Sequence, residues 1–357
     1  MYLSFSLLII ISILVGYFKG VTIAINDFFE LYKVFIYLGL YLITAYLVKS
    51  EEDKIKILKF MIFCILISVL ISVQQYFNLF NLNESYIPII APTQFRPLLN
   101  NHPNPRVVGM TSNPNTYAII PGIGSILSLA VYSYTKEKRY IIFLAICILG
   151  VLMTKSRSGF VFMLIGILSF VFLYIIKPNF KITRTSDGCI KIKGLRTLIT
   201  TLVLLILFAI IIYIVLPDEL NSRLVSGLNL NTDNSFQARL INWKEHIFFL
   251  KLSPIFGLGP AKSIEYGSYA DNEWILFLRS YGIIGTTYIV LTFLLPFIKS
   301  KDKFFKYIYF SVLLGSVLYM VPAAIYHIFQ IMPLIMILAG LISNDKNKIN
   351  NEILESD

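Results

Sequence analysis

The sequence predicts an all-α polytopic membrane protein, with about ten transmembrane helices and a large outward-facing loop between spans seven and eight. Three observations carry that expectation. The 357 residues are 57% hydrophobic. Apolar runs recur along the chain, each roughly 16–20 residues long and so able to cross a hydrocarbon core of about 30 Å. Lysine and arginine fall in alternate connections. The segments 49–59, 134–140, 177–197, 299–306 and the C-terminal tail hold 19 of the 31, whereas the alternate loops, longer in total, hold 10. This is the positive-inside pattern, and it predicts a cytoplasmic (inner) membrane protein with both termini in the cytoplasm.

Spans are expected at 2–18, 31–48, 57–77, 113–133, 140–154, 159–176, 198–216, 273–298, 305–321 and 324–342. The first lacks a basic leader and a small-residue cleavage site, so it reads as a retained span. In the outward loop 78–112, Pro88, Pro92, Pro97, Pro103 and Pro105 exclude a long helix. The connection 177–196 reads as a solvated hairpin or an interfacial segment. The second outward loop, 217–272, is a polar island whose length points to function. Within it Phe236, Leu240, Trp243, Ile247 and Leu250 recur at spacings of three and four, predicting an amphipathic helix capped by Asn234 or Ser235. Its apolar side is expected on the membrane, with Arg239, Asn242 and His246 toward the outer aqueous cavity. Residues 1–342 then form one membrane domain, followed by a disordered tail over 343–357.

The net charge of +11 does not imply nucleic acid, because topology and anionic lipid account for where the cations lie. Cys64 and Cys147 lie in spans and Cys189 in a cytoplasmic loop, so no disulfide framework is expected. His102, His246 and His327 show no metal-ligand spacing, and His327 reads as a satisfied buried polar group. No internal repeat or matched pair of broken spans supports a secondary transporter.

Arg157 stands in the tight turn Thr154-Lys155-Ser156-Arg157-Ser158-Gly159. Its fork there suits two phosphate oxygens, although a snorkelling boundary residue has the same sequence signature. Arg239 and Lys244 fit either an anion clamp or lipid headgroups, and Arg106 and Arg223 are weaker cationic candidates. Asp271 and Glu273 flank Asn272 where the island re-enters the membrane. They suit a general base, or equally a helix start with Asp271 or Asn272 as cap. Arg279 lies deeper in the same apolar run and costs on the order of 2.5–3.5 kcal/mol to insert, so it must face a cavity or a partner. Gly282 and Gly285 permit a break there, which would make 272–280 a re-entrant half-helix.

Three separated segments resemble the O-antigen ligase/polymerase superfamily. Arg106 to Ala118 is similar to its R-x-x-G-x-x-x-N-P-N-x-x-A segment, which includes Asn115, and Ser156-Arg157-Ser158-Gly159 to its S-R-[SG]-G turn. The island resembles its large periplasmic loop. That loop has an R-x-x-x-W helix, here Arg239 and Trp243, then Pro254-Ile255-Phe256-Gly257-Leu258-Gly259-Pro260, then Asp271-Asn272 through Gly285. Asp271 stands where ligases of the superfamily have His, which favours a polymerase and puts a His-based role in doubt.

The resemblance implies a glycosyltransferase acting on undecaprenyl-diphosphate-linked oligosaccharides at the outer face of the bilayer. It extends O-antigen, capsular polysaccharide or exopolysaccharide by inversion, with no metal and no cofactor. Arg157 and Arg239 would neutralise the departing diphosphate, while Asp271, or Glu273 as second choice, would deprotonate the acceptor hydroxyl. Arg106, Asn115, Lys155, Arg223, Trp243, Asn272 and Arg279 are the expected substrate-binding residues. A flippase and a chain-length regulator are the expected protein partners, and no nucleic acid is expected. The competing functions are an O-antigen ligase and a transporter of lipid-linked glycans. Transport predicts ionisable residues spread through several spans, but Lys33 and Arg279 are the main intramembrane examples.

Overall fold

The computed structural model describes residues 2–99, 105–176, 181–184, 190–193, 234–262 and 271–343. Apolar helices dominate it: α1 (Tyr2–Phe18), α2 (Ile25–Leu47), α3 (Glu51–Phe77), the short α4 (Asn83–Ile90), α5 (Pro114–Thr135), α6 (Arg139–Met153) and α7 (Arg157–Phe170). A π-helical turn, Val171–Ile176, extends α7. Beyond it lie α8 (Asn234–Leu252), α9 (Glu273–Lys299), α10 (Lys303–Tyr319) and α11 (Met332–Ser343). Among the described residues, five helical stretches are long and apolar enough to cross a membrane: α2, α3, α5, α7 with its extension, and α9. The helices α1, α6 and α11 are shorter apolar ones. The expected span 198–216 lies outside the described residues.

One departure from an all-α chain is a hairpin. Strands β1 (Lys181–Arg184) and β2 (Ile190–Lys193) pair antiparallel, with Lys181 opposite Lys193. It falls where the sequence allowed a solvated hairpin.

Helix α5 sits at the centre, packed against α3, α6, α7 and α10. Small residues allow the close approach, as is usual between helices in lipid. Gly122 meets Phe162 of α7, and Gly124 meets Ile65 of α3 and Cys147 of α6. A second group joins α1, α2, α9 and α11, and α10 bridges to it through α11.

The alternation read from charge is visible as two chemically distinct ends. At one end Lys54 pairs with Asp302 at 3.4 Å and Lys59 with Glu137 at 2.9 Å, while the Tyr41 hydroxyl donates to Ser343. Among the described residues, this end holds the basic connections 49–59, 134–140 and 299–306. The other end holds the start of α5, the α6–α7 turn, α8 and the start of α9.

Helix α11 starts later than the sequence suggested. Residues 320–331 run irregularly because the Glu273 carboxylate takes the N–H groups of Ile325 and Tyr326, which a continuous helix would use internally.

Candidate functional site

Each residue of the α6–α7 turn has a local task. Ser156 caps α7, its Oγ accepting from Gly159 N at 3.1 Å. Gly159 lets α7 close on α5, since a Cβ there would lie 2.1 Å from that of Ala118. Lys155 adopts a left-handed conformation, φ 51°, that reverses the chain. Arg157 thereby starts α7, half-buried at the helix N-terminus.

The Arg106 segment is fastened beside this turn. Arg106 Nε donates to Thr154 O at 3.0 Å and its Nη2 to Asn115 Oδ1 at 2.9 Å. Asn113 caps α5 by accepting from Asn115 N at 2.8 Å, with Pro114 in the first turn. A residue missed from sequence holds the segment from behind. Buried Gln75 of α3 accepts from Val108 N and Gly109 N and donates to Gly109 O at 2.7 Å. Its signal was an amide pair, Gln74-Gln75, inside an apolar run.

The island docks onto a broken helix. Gly282 has φ 63° and ψ −169°, which interrupts α9. The break frees Arg279 O, Ser280 O, Ile283 N and Ile284 N. The Pro254–Pro260 turn satisfies all four: Leu258 N donates to Arg279 O and Gly259 N to Ser280 O, each at 2.9 Å. Pro254 O and Ile255 O accept from Ile283 N and Ile284 N. Gly257 at φ 74° is required here, because a Cβ would sit 2.4 Å from the Ser280 carbonyl. Residues 272–280 are thus a separate half-helix, as the glycines suggested.

Arg279 finds its partners in the island. Its Nη1 lies 3.1 Å from His246 Nδ1 and its Nη2 donates to Pro260 O at 2.7 Å, with the residue 5% exposed. This overturns the expected orientation of α8. His246 is buried, and Arg239, Asn242 and Trp243 are half-buried on the same side, whereas Ile241, Ile247 and Phe248 are exposed. A buried guanidinium demands acceptors, so the polar face turns toward the bundle.

At the start of α9, Asn272 is the cap, accepting from Ile275 N at 3.1 Å. Glu273 is fully buried, bonded to Ile325 N, Tyr326 N and His327 Nδ1. Asp271 is exposed, with φ 41°. Of the two carboxylates, Asp271 is the exposed one. Tyr319, at the end of α10, packs edge-on against Phe162 of α7, and the adjoining Met320 O accepts from Glu273 N at 2.9 Å. The end of α10 thus adjoins α7 and the start of α9, and α8 reaches α9 through the His246–Arg279 contact. Arg223 lies outside the described residues.

A second cluster escaped the sequence reading. Buried Glu30 of α2 pairs with Lys33 at 2.8 Å and with Lys262 of the island, and His327 Nε2 lies 3.7 Å from its other oxygen. Its signal was Glu30 and Lys33 at i, i+3, but the expected span began at residue 31 and cut the pair. His327 is a satisfied polar group, as expected, placed before α11.

No curated protein matches the chain. Residues 142–290, from α6 through the break in α9, match the family model described as O-Antigen ligase. For that part of the chain, the resemblance to the O-antigen ligase/polymerase superfamily is thereby shown.

Proposed function

We propose that this chain is a membrane glycosyltransferase that polymerises undecaprenyl-diphosphate-linked repeat units at the outer face of the cytoplasmic membrane. One observation carries the reading. The N-termini of α5, α7 and α9 open at the same end as Arg106, Lys155, Arg157 and Arg239, beside exposed Asp271. Helix N-termini and guanidinium groups are what a diphosphate needs.

A polyprenyl diphosphate leaves without protonation, so fixed cations are the catalytic requirement. Arg157 and Arg239 neutralise it, with Lys155 beside them. Arg106 and Asn115 hold the α6–α7 turn in place. Asp271 takes the proton of the acceptor hydroxyl as that oxygen attacks the anomeric carbon from the opposite face, which inverts the configuration. Glu273, with both oxygens engaged, and Arg279 and Asn272, bonded within the protein, act as braces. Trp243 stays the stacking surface for a sugar ring.

Ligation to a lipid A core is the second reading, favoured by the description of the matching family model. The test incubates purified chain with donor and no nucleotide sugar, then resolves lipid-linked products by size. A ladder of repeat multiples is expected. Transfer only after core acceptor is added would replace polymerisation with ligation, and no transfer to any acceptor would favour transport.

A further inference from the structure

We propose that Glu30 and Lys262 are positioning residues: with Asp27, His327 and Glu273 they latch the island turn at Lys262 and the start of α9 to the same corner of the bundle and so fix where Asp271 stands. The inference rests on the reading of Asp271 as base.

Lys262 stands nine residues before Asp271, and Glu273 two after it. The Lys262 backbone N–H donates to Asp27 Oδ1 at 2.8 Å, and its ammonium pairs with Glu30. On the other side, Glu273 N donates to Met320 O at 2.9 Å, and its carboxylate bonds His327, Ile325 N and Tyr326 N. His327 joins the two halves, facing Glu273 through Nδ1 and Glu30 through Nε2. Four pieces of chain meet here: the first turns of α2, the end of the island's first half, the start of α9 and the irregular stretch 320–331.

The cost of this arrangement argues for its purpose. Taking an ion such as Glu30 out of water costs several kcal/mol after relaxation, on the order that its partners must recover. Lys33, one turn along the same helix, already pairs with it at 2.8 Å. The second lysine comes from 232 residues downstream and closes on the same oxygen. A pair serving only α2 would not need it. Lys262 is the member that converts a local ion pair into a tether on the island. Asp27 is doubly used, its other oxygen accepting from Ala24 N at 2.8 Å, so the tether is built on a fixed helix start.

A base held about 1 Å out of place loses roughly 100-fold in rate. Lys262→Met is therefore expected to lower kcat for polymerisation by roughly 100-fold while KM for the lipid-linked donor stays within about twofold. Lys262→Arg is expected to recover most of the loss. Amide exchange in Lys262→Met should quicken over 256–262 and 271–276, with α5 unchanged. Asp27→Asn, which weakens the backbone tether and the Ala24 N–H bond at the start of α2 but leaves the Lys262–Glu30 pair, should give the same local change over 256–262 and 271–276 at smaller amplitude. Unchanged exchange at these segments would overturn the latch. Faster exchange with unchanged kcat would overturn its positioning role. A wild-type protein that makes no ladder, yet shows the exchange difference on substitution, would sink the polymerase reading and support the latch.

Discussion

At the scale of single residues, the charged groups differ in how deeply they are buried and in what they brace. The Arg279 guanidinium is buried against His246 and the Pro260 carbonyl. Replacing it with Met strands buried polar groups at about 1–3 kcal/mol each. Arg279→Met should lower the thermal midpoint in detergent, and an unchanged midpoint would refute the brace. Arg157 is half-buried at the start of α7, where Ser156 is the cap and Gly159 closes on α5. Arg157→Ala should reduce transfer by 100-fold or more at wild-type levels of inserted protein, roughly the effect of losing one transition-state donor, and undiminished transfer would refute its role. The need for a partner at Arg279 was legible, because an unpaired Arg in an apolar run is too costly. The identity of His246 was not, since the contact spans 33 residues and the apolar stripe of α8 suggested the opposite face.

At the scale of elements, the break in α9 organises the site. It exchanges two helical hydrogen-bond pairs for four bonds to the island turn, so half-helix and island are one unit. Gly282→Ala should disrupt both, because φ is 63° and the added Cβ would lie 2.2 Å from Ile255 O. Gly39→Ala is the control: nothing lies within 4 Å of its Cβ, and the midpoint should hold or rise slightly. Equal losses in both variants would contradict this account of the break. Helix starts were well marked at α5 and α9 because their caps, Asn113 and Asn272, are local signals. The start of α11 was misjudged by hydropathy alone. Ala323-Ala324-Ile325 looks like span, yet its amides are drawn off by Glu273, fifty residues away in sequence.

At the scale of the molecule, the two ends divide the work. The basic end is stitched by Lys54–Asp302 and Lys59–Glu137, and the other carries the cations and Asp271. The predominance of apolar helices was legible because hydropathy is a property of runs, not of contacts. The buried Glu30 cluster was not, because four distant segments supply it. The proposed orientation has a direct check in a background lacking the native cysteines. An impermeant maleimide should label Lys251→Cys in intact cells and Lys301→Cys only after permeabilisation. The reverse would invert the topology and remove the outer-face chemistry.

The central claim is that cations at the α7 start and on α8 accept the departing diphosphate while Asp271 activates the acceptor. The most direct measurement is release of undecaprenyl diphosphate from a donor-only reaction in reconstituted bilayers. The account predicts release in step with new linkages, and its loss in both Arg157→Ala and Asp271→Asn at wild-type levels of inserted protein. Undiminished release from Arg157→Ala would contradict it.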